Sequence, residues 1–345
     1  MRGREGIPYQ EGTKAFLVLP GNDEIGGSVL STLHLLDPAV RPAIEAFPEI
    51  SIDRETLSAL RQMFDQQAAL ADLTGTGIKR EVTEVPGLQP GQPAVRCLKY
   101  SPNKSTEPTG AYLHIHGGGY VLGAPEMADA RNVSLASRLG ITILSVDYRL
   151  APEHPIPAPL DDCYAALAWL STNAERLGVD PRKIAIGGES AGGGLAAATA
   201  LHACHIGEFP ICAQILTYPM IDDRTGSAAT PGDPLTGEFI WTREHNQTGW
   251  KYYLGGAQPD APFVPARADD LSRLPPTWIG TGAMDLFRDE NIEYAKRLLG
   301  AGVAAELIVY PRVCHGFQQA VDAPVTKQYL RDQSEALKRR LDHAR

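Results

Sequence analysis

The chain has 345 residues, 43% of them hydrophobic and 21% charged, a composition that excludes a chain disordered along its whole length. The formal net charge of −9 opposes contact with a phosphate backbone and excludes nucleic acid as a partner. No apolar run reaches the roughly 18 residues that a transmembrane helix needs, and the run at 15–19 is too short for a secretory signal, so we expect a cytoplasmic protein.

The N-terminal segment, residues 1–75, is predicted to contain an arm followed by cap helices. Residues 1–50 are rich in Gly and Pro and show little periodicity, which indicates an extended arm with short turns. Apolar side chains then recur at helical spacing, at Leu57, Leu60, Phe64 and Ala68. Because polar residues separate them, this spacing predicts an amphipathic helix with one buried face.

Residues 76–220 and 269–345 are predicted to form an α/β core. Short apolar runs alternate with helical stretches such as 161–177 and 195–205. Eight strands are predicted, at 79–85, 94–100, 111–116, 141–148, 183–189, 211–218, 277–283 and 305–310. Because strand–helix–strand repetition implies long crossovers, we expect a mostly parallel eight-stranded sheet with helices on both faces.

Residues 221–268 interrupt this alternation. They carry many Pro, Gly and Asp residues together with several aromatic ones, and they lie where a single crossover helix would suffice. Since an insertion of this length is more often a functional lid than an idle loop, we expect it to form a cap with the N-terminal helix. The last strand, 305–310, is expected to be outermost, and its apolar edge predicts pairing with a second copy in a homodimer.

The run Gly188-Glu189-Ser190-Ala191-Gly192 follows the fifth strand and precedes an Ala-rich helix. It matches the G-x-S-x-G nucleophile elbow in the strand–turn–helix context that this motif requires. Because the turn holds its central residue in a strained conformation, the positions two before and two after it need Gly or a residue nearly as small. The motif predicts Ser190 as a nucleophile, and the alternative is a glycine-rich turn without catalytic significance.

A second glycine run, His116-Gly117-Gly118-Gly119, follows the third strand. Acyl transfer passes through an oxyanion, and glycines allow backbone N–H groups to approach it closely. We expect Gly118, Gly119 and Ala191 to supply these donors, although the sequence leaves open which two of the three glycines take part. This run does not match a phosphate-binding glycine motif.

A serine hydroxyl needs a general base and a carboxylate that orients the base. In proteins with a nucleophile elbow of this kind, the three catalytic residues occur along the chain in the order Ser, acid, His. His315 is the histidine placed just after the last strand and is the predicted base, and Asp285, directly after the seventh strand, is the predicted acid. Asp222, after the sixth strand, is the reserve candidate for the acid, whereas Asp289 and Glu290 indicate a helix start.

Together these motifs resemble the hormone-sensitive-lipase family (bacterial family IV) of esterases within the α/β-hydrolase superfamily. The resemblance covers residues 30–345 and depends on both glycine motifs and on the runs 148–153, 285–290 and 315–317. It implies an α/β-hydrolase fold, hydrolysis of short- to medium-chain acyl esters, no cofactor, and a cap built from the N-terminal helices and the insertion. It also implies the triad and oxyanion hole assigned above.

Two features depart from the family pattern. Many members carry Asp where this chain has Glu189, and we expect the change to alter the rim of the substrate pocket. Residues 312–314 are larger than the residues expected from the family at these positions, and Cys314 among them predicts a thiol-sensitive enzyme.

Two other functions are alternatives to an esterase. One is an amidase or deacetylase acting on N-acyl substrates, since the same groups cleave amides, and the other is a non-catalytic small-molecule receptor of this fold.

The remaining polar residues have structural interpretations. Five cysteines without a C-x-x-C pair argue against a disulfide framework or a zinc ribbon. The group His202, Cys204 and His205 has no evident carboxylate partner, so we expect no metal site there. His116 is expected to hold the oxyanion loop, and Glu153 is expected to support nearby loops through hydrogen bonds.

Overall fold

The computed structural model describes residues 31–103 and 107–344. The short apolar run at 15–19 lies outside the described residues, and so do residues 1–30 of the predicted arm. None of the helices in the described ranges is long and apolar enough to cross a membrane.

In the part of the chain that the structure describes, eight strands form a single sheet, which confirms the predicted fold class. They are β1 (Ile78–Val85), β2 (Val95–Pro102), β3 (Thr109–Ile115), β4 (Thr142–Val146), β5 (Val179–Glu189), β6 (Ala213–Thr217), β7 (Thr277–Gly282) and β8 (Ala305–Tyr310). Their order across the sheet is β1-β2-β4-β3-β5-β6-β7-β8. The first two pairings are antiparallel and the other five are parallel, as expected where helices make the crossovers.

Helices cover both faces of this sheet. They are α1 (Arg41–Glu45), α2 (Leu57–Gln67), α3 (Asp129–Leu139), α4 (Ala158–Thr172), α5 (Ala191–Ile206), α6 (Arg243–Leu254), α7 (Arg288–Gly300) and α8 (Pro324–His343). One apolar cluster joins alternate strand residues to α4, α5 and α7, and a second joins the intervening residues to α3 and α8. The central parallel strands are therefore buried on both faces, which explains why they read as continuous apolar runs.

The first predicted core helix differs from the observed one at both ends, and the second differs mainly at its start. α4 begins at residue 158, not 161, and ends at 172, and a short 3-10 turn occupies 175–177. α5 begins directly after Ser190, although its first turn contains three glycines, which are poor helix formers. A Cβ added to Gly194 would lie 2.0 Å from the Met220 carbonyl oxygen, so close packing and not helix propensity determines this turn.

The insertion and the last strand occupy the positions that the sequence predicts. Residues 221–268 leave the sheet after β6 and return before β7, and they contain α6. β8 forms one edge of the sheet. Its pairing with a second copy stays a prediction.

Candidate active site

Ser190 lies at the tip of the turn between β5 and α5. Its backbone has φ 56° and ψ −123°, a conformation that is rare for a residue with a side chain. Its N–H donates to the Thr217 carbonyl at 3.0 Å, which ties the turn to the end of β6. A Cβ added to Gly188 or to Gly192 would lie 2.1 Å from the Ile115 carbonyl oxygen, so only glycine fits on either side of the turn.

Ser190, His315 and Asp285 form a continuous chain of hydrogen bonds. His315 Nε2 lies 3.0 Å from Ser190 Oγ, and His315 Nδ1 lies 2.8 Å from Asp285 Oδ2. The other carboxylate oxygen, Asp285 Oδ1, accepts from the Phe287 N–H at 2.8 Å, which fixes the plane of the carboxylate. All three residues are buried. The structure thus brings together the residues predicted as nucleophile, base and acid.

The sheet topology explains why residues so far apart in sequence meet. Ser190, Asp285 and His315 follow the carboxyl ends of β5, β7 and β8, which run parallel and end at the same edge. Asp222, the reserve candidate, follows β6 but pairs with Arg224 at 2.7 Å. The carboxylate that contacts His315 is therefore that of Asp285.

The direction of each hydrogen bond follows from the chemistry of the groups. A carboxylate only accepts, so His315 Nδ1 carries the imidazole proton and Nε2 is left as an acceptor. The Ser190 hydroxyl then donates to Nε2. In this arrangement an imidazole can remove the proton of a serine hydroxyl while that hydroxyl attacks a carbonyl.

The glycine run of residues 117–119 packs against the elbow. A Cβ added to Gly117 would lie 3.4 Å from Ser190 Cβ. Gly118 and Gly119 have φ values of 123° and 61°, which favour glycine. Within the described ranges the backbone N–H groups of Gly118, Gly119 and Ala191 donate no hydrogen bond to the protein, so three donors beside Ser190 are free to bind an anion.

A family described as having the alpha/beta hydrolase fold matches residues 112–319, which is more than half of the chain. The chain belongs to the α/β-hydrolases. It is 32% identical over 291 residues to esterase LipI of Mycobacterium tuberculosis, with 82% of this chain and 88% of that protein aligned. It is 33% identical over 280 residues to an arylesterase of Saccharolobus solfataricus, with 78% and 87% aligned.

The solved structures give the same assignment. This α/β-hydrolase matches a bacterial heroin esterase with a TM-score of 0.82 and 38% identity, over 90% of this chain and 99% of that one. These relatives confirm the resemblance to the hormone-sensitive-lipase family of esterases that the motifs indicate.

Aromatic side chains from the insertion hold the glycine run of this α/β-hydrolase, whereas the sequence leaves open whether these aromatic residues line the pocket or pack the cap. Trp241 packs closely on Gly119, and a Cβ added to Gly119 would lie 1.9 Å from the Trp241 ring. Tyr120 has φ 68°, and its hydroxyl donates to the Met220 carbonyl at 2.8 Å. Tyr253 of α6 stacks on the Tyr120 ring at a centroid distance of 4.0 Å. The aromatic content of the insertion was the only sequence signal of these contacts.

Two more aromatic rings flank His315. The Tyr218 ring lies 4.3 Å from the imidazole centroid, and the Phe287 ring meets it edge to face at 5.2 Å. Tyr218 directly follows β6, and Phe287 lies in the loop between β7 and α7, so both are at the carboxyl edge of the sheet. These contacts restrict the orientation of the imidazole, and no local sequence motif indicates them.

Glu189 does not lie on a pocket rim, so the expectation for this residue was wrong. Its carboxylate is buried and binds Arg131 of α3 at 2.7 Å and His114 Nε2 at 3.1 Å. Burial alone would raise the pKa of Glu189, but the charge of Arg131 and the hydrogen bonds outweigh it and lower the pKa to about 2. The longer side chain therefore makes an internal ion pair behind the elbow.

His116 and Glu153 have the structural contacts expected of them. His116 Nδ1 lies 2.8 Å from the Gly117 carbonyl oxygen, and its ring stacks on Tyr148. Burial lowers the pKa of His116 to about 4, which keeps the ring neutral near neutral pH. Glu153 forms a bidentate pair with Arg61 of α2.

Cys314 lies next to His315 but is poorly placed to react. Its side chain is almost fully buried, and burial raises the pKa of the thiol to about 12. Since the thiolate is the reactive form, this environment opposes the predicted thiol sensitivity. The five cysteines are all free thiols.

Glu290 does more than begin a helix. It lies in the first turn of α7, as predicted, but its carboxyl group is buried and accepts from the Ile221 N–H at 2.7 Å. Burial raises the pKa of Glu290 well above its usual value, against the opposing effect of that hydrogen bond.

Among the described residues no group of three or more His, Cys, Asp or Glu side chains is arranged to hold a metal ion.

Proposed function

We propose that this α/β-hydrolase is a carboxylesterase that hydrolyses short- to medium-chain acyl esters. The observation that carries the proposal is the unbroken hydrogen-bond chain from Asp285 through His315 to Ser190, beside three free backbone donors. The esterase names of its relatives support the same reaction class.

In the first half of the reaction, Ser190 Oγ attacks the ester carbonyl and His315 Nε2 takes the hydroxyl proton. Asp285 keeps the other imidazole nitrogen protonated and stabilises the imidazolium. The carbonyl oxygen becomes an oxyanion, which accepts hydrogen bonds from the N–H groups of Gly118, Gly119 and Ala191. The alcohol leaves with the proton that His315 returns to it.

In the second half, water attacks the acyl group on Ser190. His315 removes a proton from this water, a second oxyanion forms in the same place, and the carboxylic acid leaves as Ser190 regains its proton. The N-terminus of α5 points at this position, and its positive dipole end stabilises the developing negative charge in both halves.

The cap assignment belongs to the same proposal. Residues 221–268 and the described part of residues 1–75 form the cap, and 76–220 and 269–345 form the catalytic core. Two contacts support it: the His245 Nε2–H of α6 binds the Ile50 carbonyl at 3.0 Å, and Glu238 of the insertion accepts from Thr32. The two cap segments are thus joined to each other.

The acyl specificity is tested with p-nitrophenyl esters from acetate to palmitate. We expect kcat/KM to be highest for the short esters and to fall for palmitate, because bulky cap side chains such as Trp241 close over the glycine run. A preference for palmitate over butyrate would contradict the chain-length assignment. Cleavage of matched p-nitroanilides without cleavage of esters would favour an amidase, and no turnover of either would favour a binding role.

The oxyanion hole is tested by Gly119→Ala. The new methyl group would collide with Trp241 and strain a backbone at φ 61°, so the loop and its donor must shift. We expect kcat to fall by about 10²-fold, the scale of losing one oxyanion donor. Gly140→Ala is the matched control, because Gly140 has φ 64° but its added Cβ meets nothing within 4 Å. Equal kcat values for the two variants would count against the assigned donor.

A further inference from the structure

The residue three positions before His315 has an unusual backbone conformation. Arg312 has φ 58°, in the left-handed region where glycine is favoured and a residue with a Cβ is strained. A strained arginine at this position calls for contacts that compensate for the strain.

Those contacts come from the N-terminal segment. Arg312 Nε donates to the Leu35 carbonyl at 3.1 Å, and Nη2 donates to the Leu36 carbonyl at 3.2 Å. The Arg312 carbonyl in turn accepts from the Asp37 N–H at 2.8 Å. Three hydrogen bonds therefore join one residue of the histidine loop to three consecutive residues before α1.

Apolar packing fixes the same contact. Leu36 is fully buried and belongs to the apolar cluster that contains Val313 and Phe317, on the two sides of His315. The Val313 carbonyl accepts from the Met284 N–H at 2.9 Å, and Met284 immediately precedes Asp285. A shift at Arg312 would therefore be transmitted to both partners of the Asp285–His315 hydrogen bond.

We propose that Arg312 is a positioning residue, through which the segment 32–45 holds the loop that carries His315. Arg312 does not touch the reacting atoms. It acts by holding the backbone of residues 312–315 in place, so that His315 Nε2 stays at hydrogen-bonding distance from Ser190. The segment precedes residues 112–319, the range that the family model matches. The inference rests on the proposed role of His315 as general base.

The test compares Arg312→Gly and Arg312→Ala with the wild type on p-nitrophenyl butyrate. Glycine tolerates the positive φ, so the first variant loses only the guanidinium bonds, whereas alanine also keeps the strain. We expect kcat to fall about tenfold in both, with little change in KM, because small misplacement of a catalytic group lowers the rate of chemistry. Added guanidinium chloride is expected to restore part of kcat in Arg312→Gly and to leave the wild type unchanged.

Arg182→Ala is the control, because Arg182 is exposed and its side chain pairs with Asp180 at the start of β5. Its kcat is expected to equal that of the wild type. Wild-type kcat in both Arg312 variants would overturn the proposal. So would a loss of kcat that only follows a loss of folded protein in thermal melts and is not restored by guanidinium.

A readout without substrate separates this inference from the proposed function. The downfield proton resonance of the His315–Asp285 hydrogen bond is expected in the wild type and is expected to broaden or disappear in the Arg312 variants. An unchanged resonance in both variants would overturn the positioning role even if the protein hydrolysed no ester. Failure of the proposed function would instead appear as a wild type without ester turnover.

Discussion

Ser190→Ala is expected to lower kcat for p-nitrophenyl butyrate by about 10⁶-fold, the scale seen when the nucleophile of a serine hydrolase is removed. No other hydroxyl contacts His315 Nε2 in the described residues, so no second nucleophile can replace it. The variant should fold, because alanine adopts the same φ of 56° at a similar cost and the backbone hydrogen bonds of the turn remain. A residual rate from the oxyanion donors is expected to persist.

The matched control for this prediction is Ser272→Ala, which removes the hydroxyl of an exposed serine just before β7. It is expected to keep the kcat of the wild type. A fluorophosphonate probe should label the wild type and the control but not Ser190→Ala. Undiminished turnover in Ser190→Ala, in a preparation free of other esterases, would refute Ser190 as the nucleophile.

Asp285→Asn is expected to lower kcat by about 10⁴-fold with little change in the melting temperature. The Asn carbonyl oxygen can still accept from the Phe287 N–H, which leaves its amide group facing His315 Nδ1. Because that amide donates a hydrogen bond, Nδ1 must become the acceptor and the imidazole proton moves to Nε2. A protonated Nε2 faces the Ser190 hydroxyl and cannot take its proton.

Asp222→Asn provides the comparison for this variant, since Asp222 also follows a strand of the sheet and was the reserve candidate for the acid. Its carboxylate pairs with Arg224, whose side chain is 53% exposed, and an exposed pair of this kind contributes little to stability. We expect its kcat to stay near that of the wild type. A large loss in Asp222→Asn together with near-normal activity in Asp285→Asn would transfer the role of the acid to Asp222.

The nucleophile turn could be predicted from the sequence because its constraints are local. Gly188 and Gly192 are separated from Ser190 by fixed distances along the chain, and their small size is required by one neighbouring strand end at Ile115. The eight strands were predictable for a related reason, since a strand buried on both faces reads as an apolar run. Strand order and direction then place the ends of β5, β7 and β8 at one edge.

Helix starts and side-chain partners were less predictable. The first turn of α5 looks unfavourable for a helix because of its glycines, but the packing against Met220 and Ile115 leaves no space for any other residue. The sequence suggests that Glu189 is an exposed acid next to the nucleophile, but in the structure it is buried and binds Arg131 of α3 and His114 of β3. In both cases a neighbour distant in sequence outweighs the local preference.

The sequence by itself therefore determined the fold class, the turn that presents Ser190, and the candidates for base, acid and oxyanion donors, because these depend on residue type and spacing along one segment. The tertiary structure decided which acid contacts His315, that Trp241 covers Gly119, and that Arg312 joins the histidine loop to the N-terminal segment. Such contacts bring together residues from distant parts of the chain. No spacing along the sequence encodes them, since they arise only when strand ends, insertion and N-terminal segment pack together.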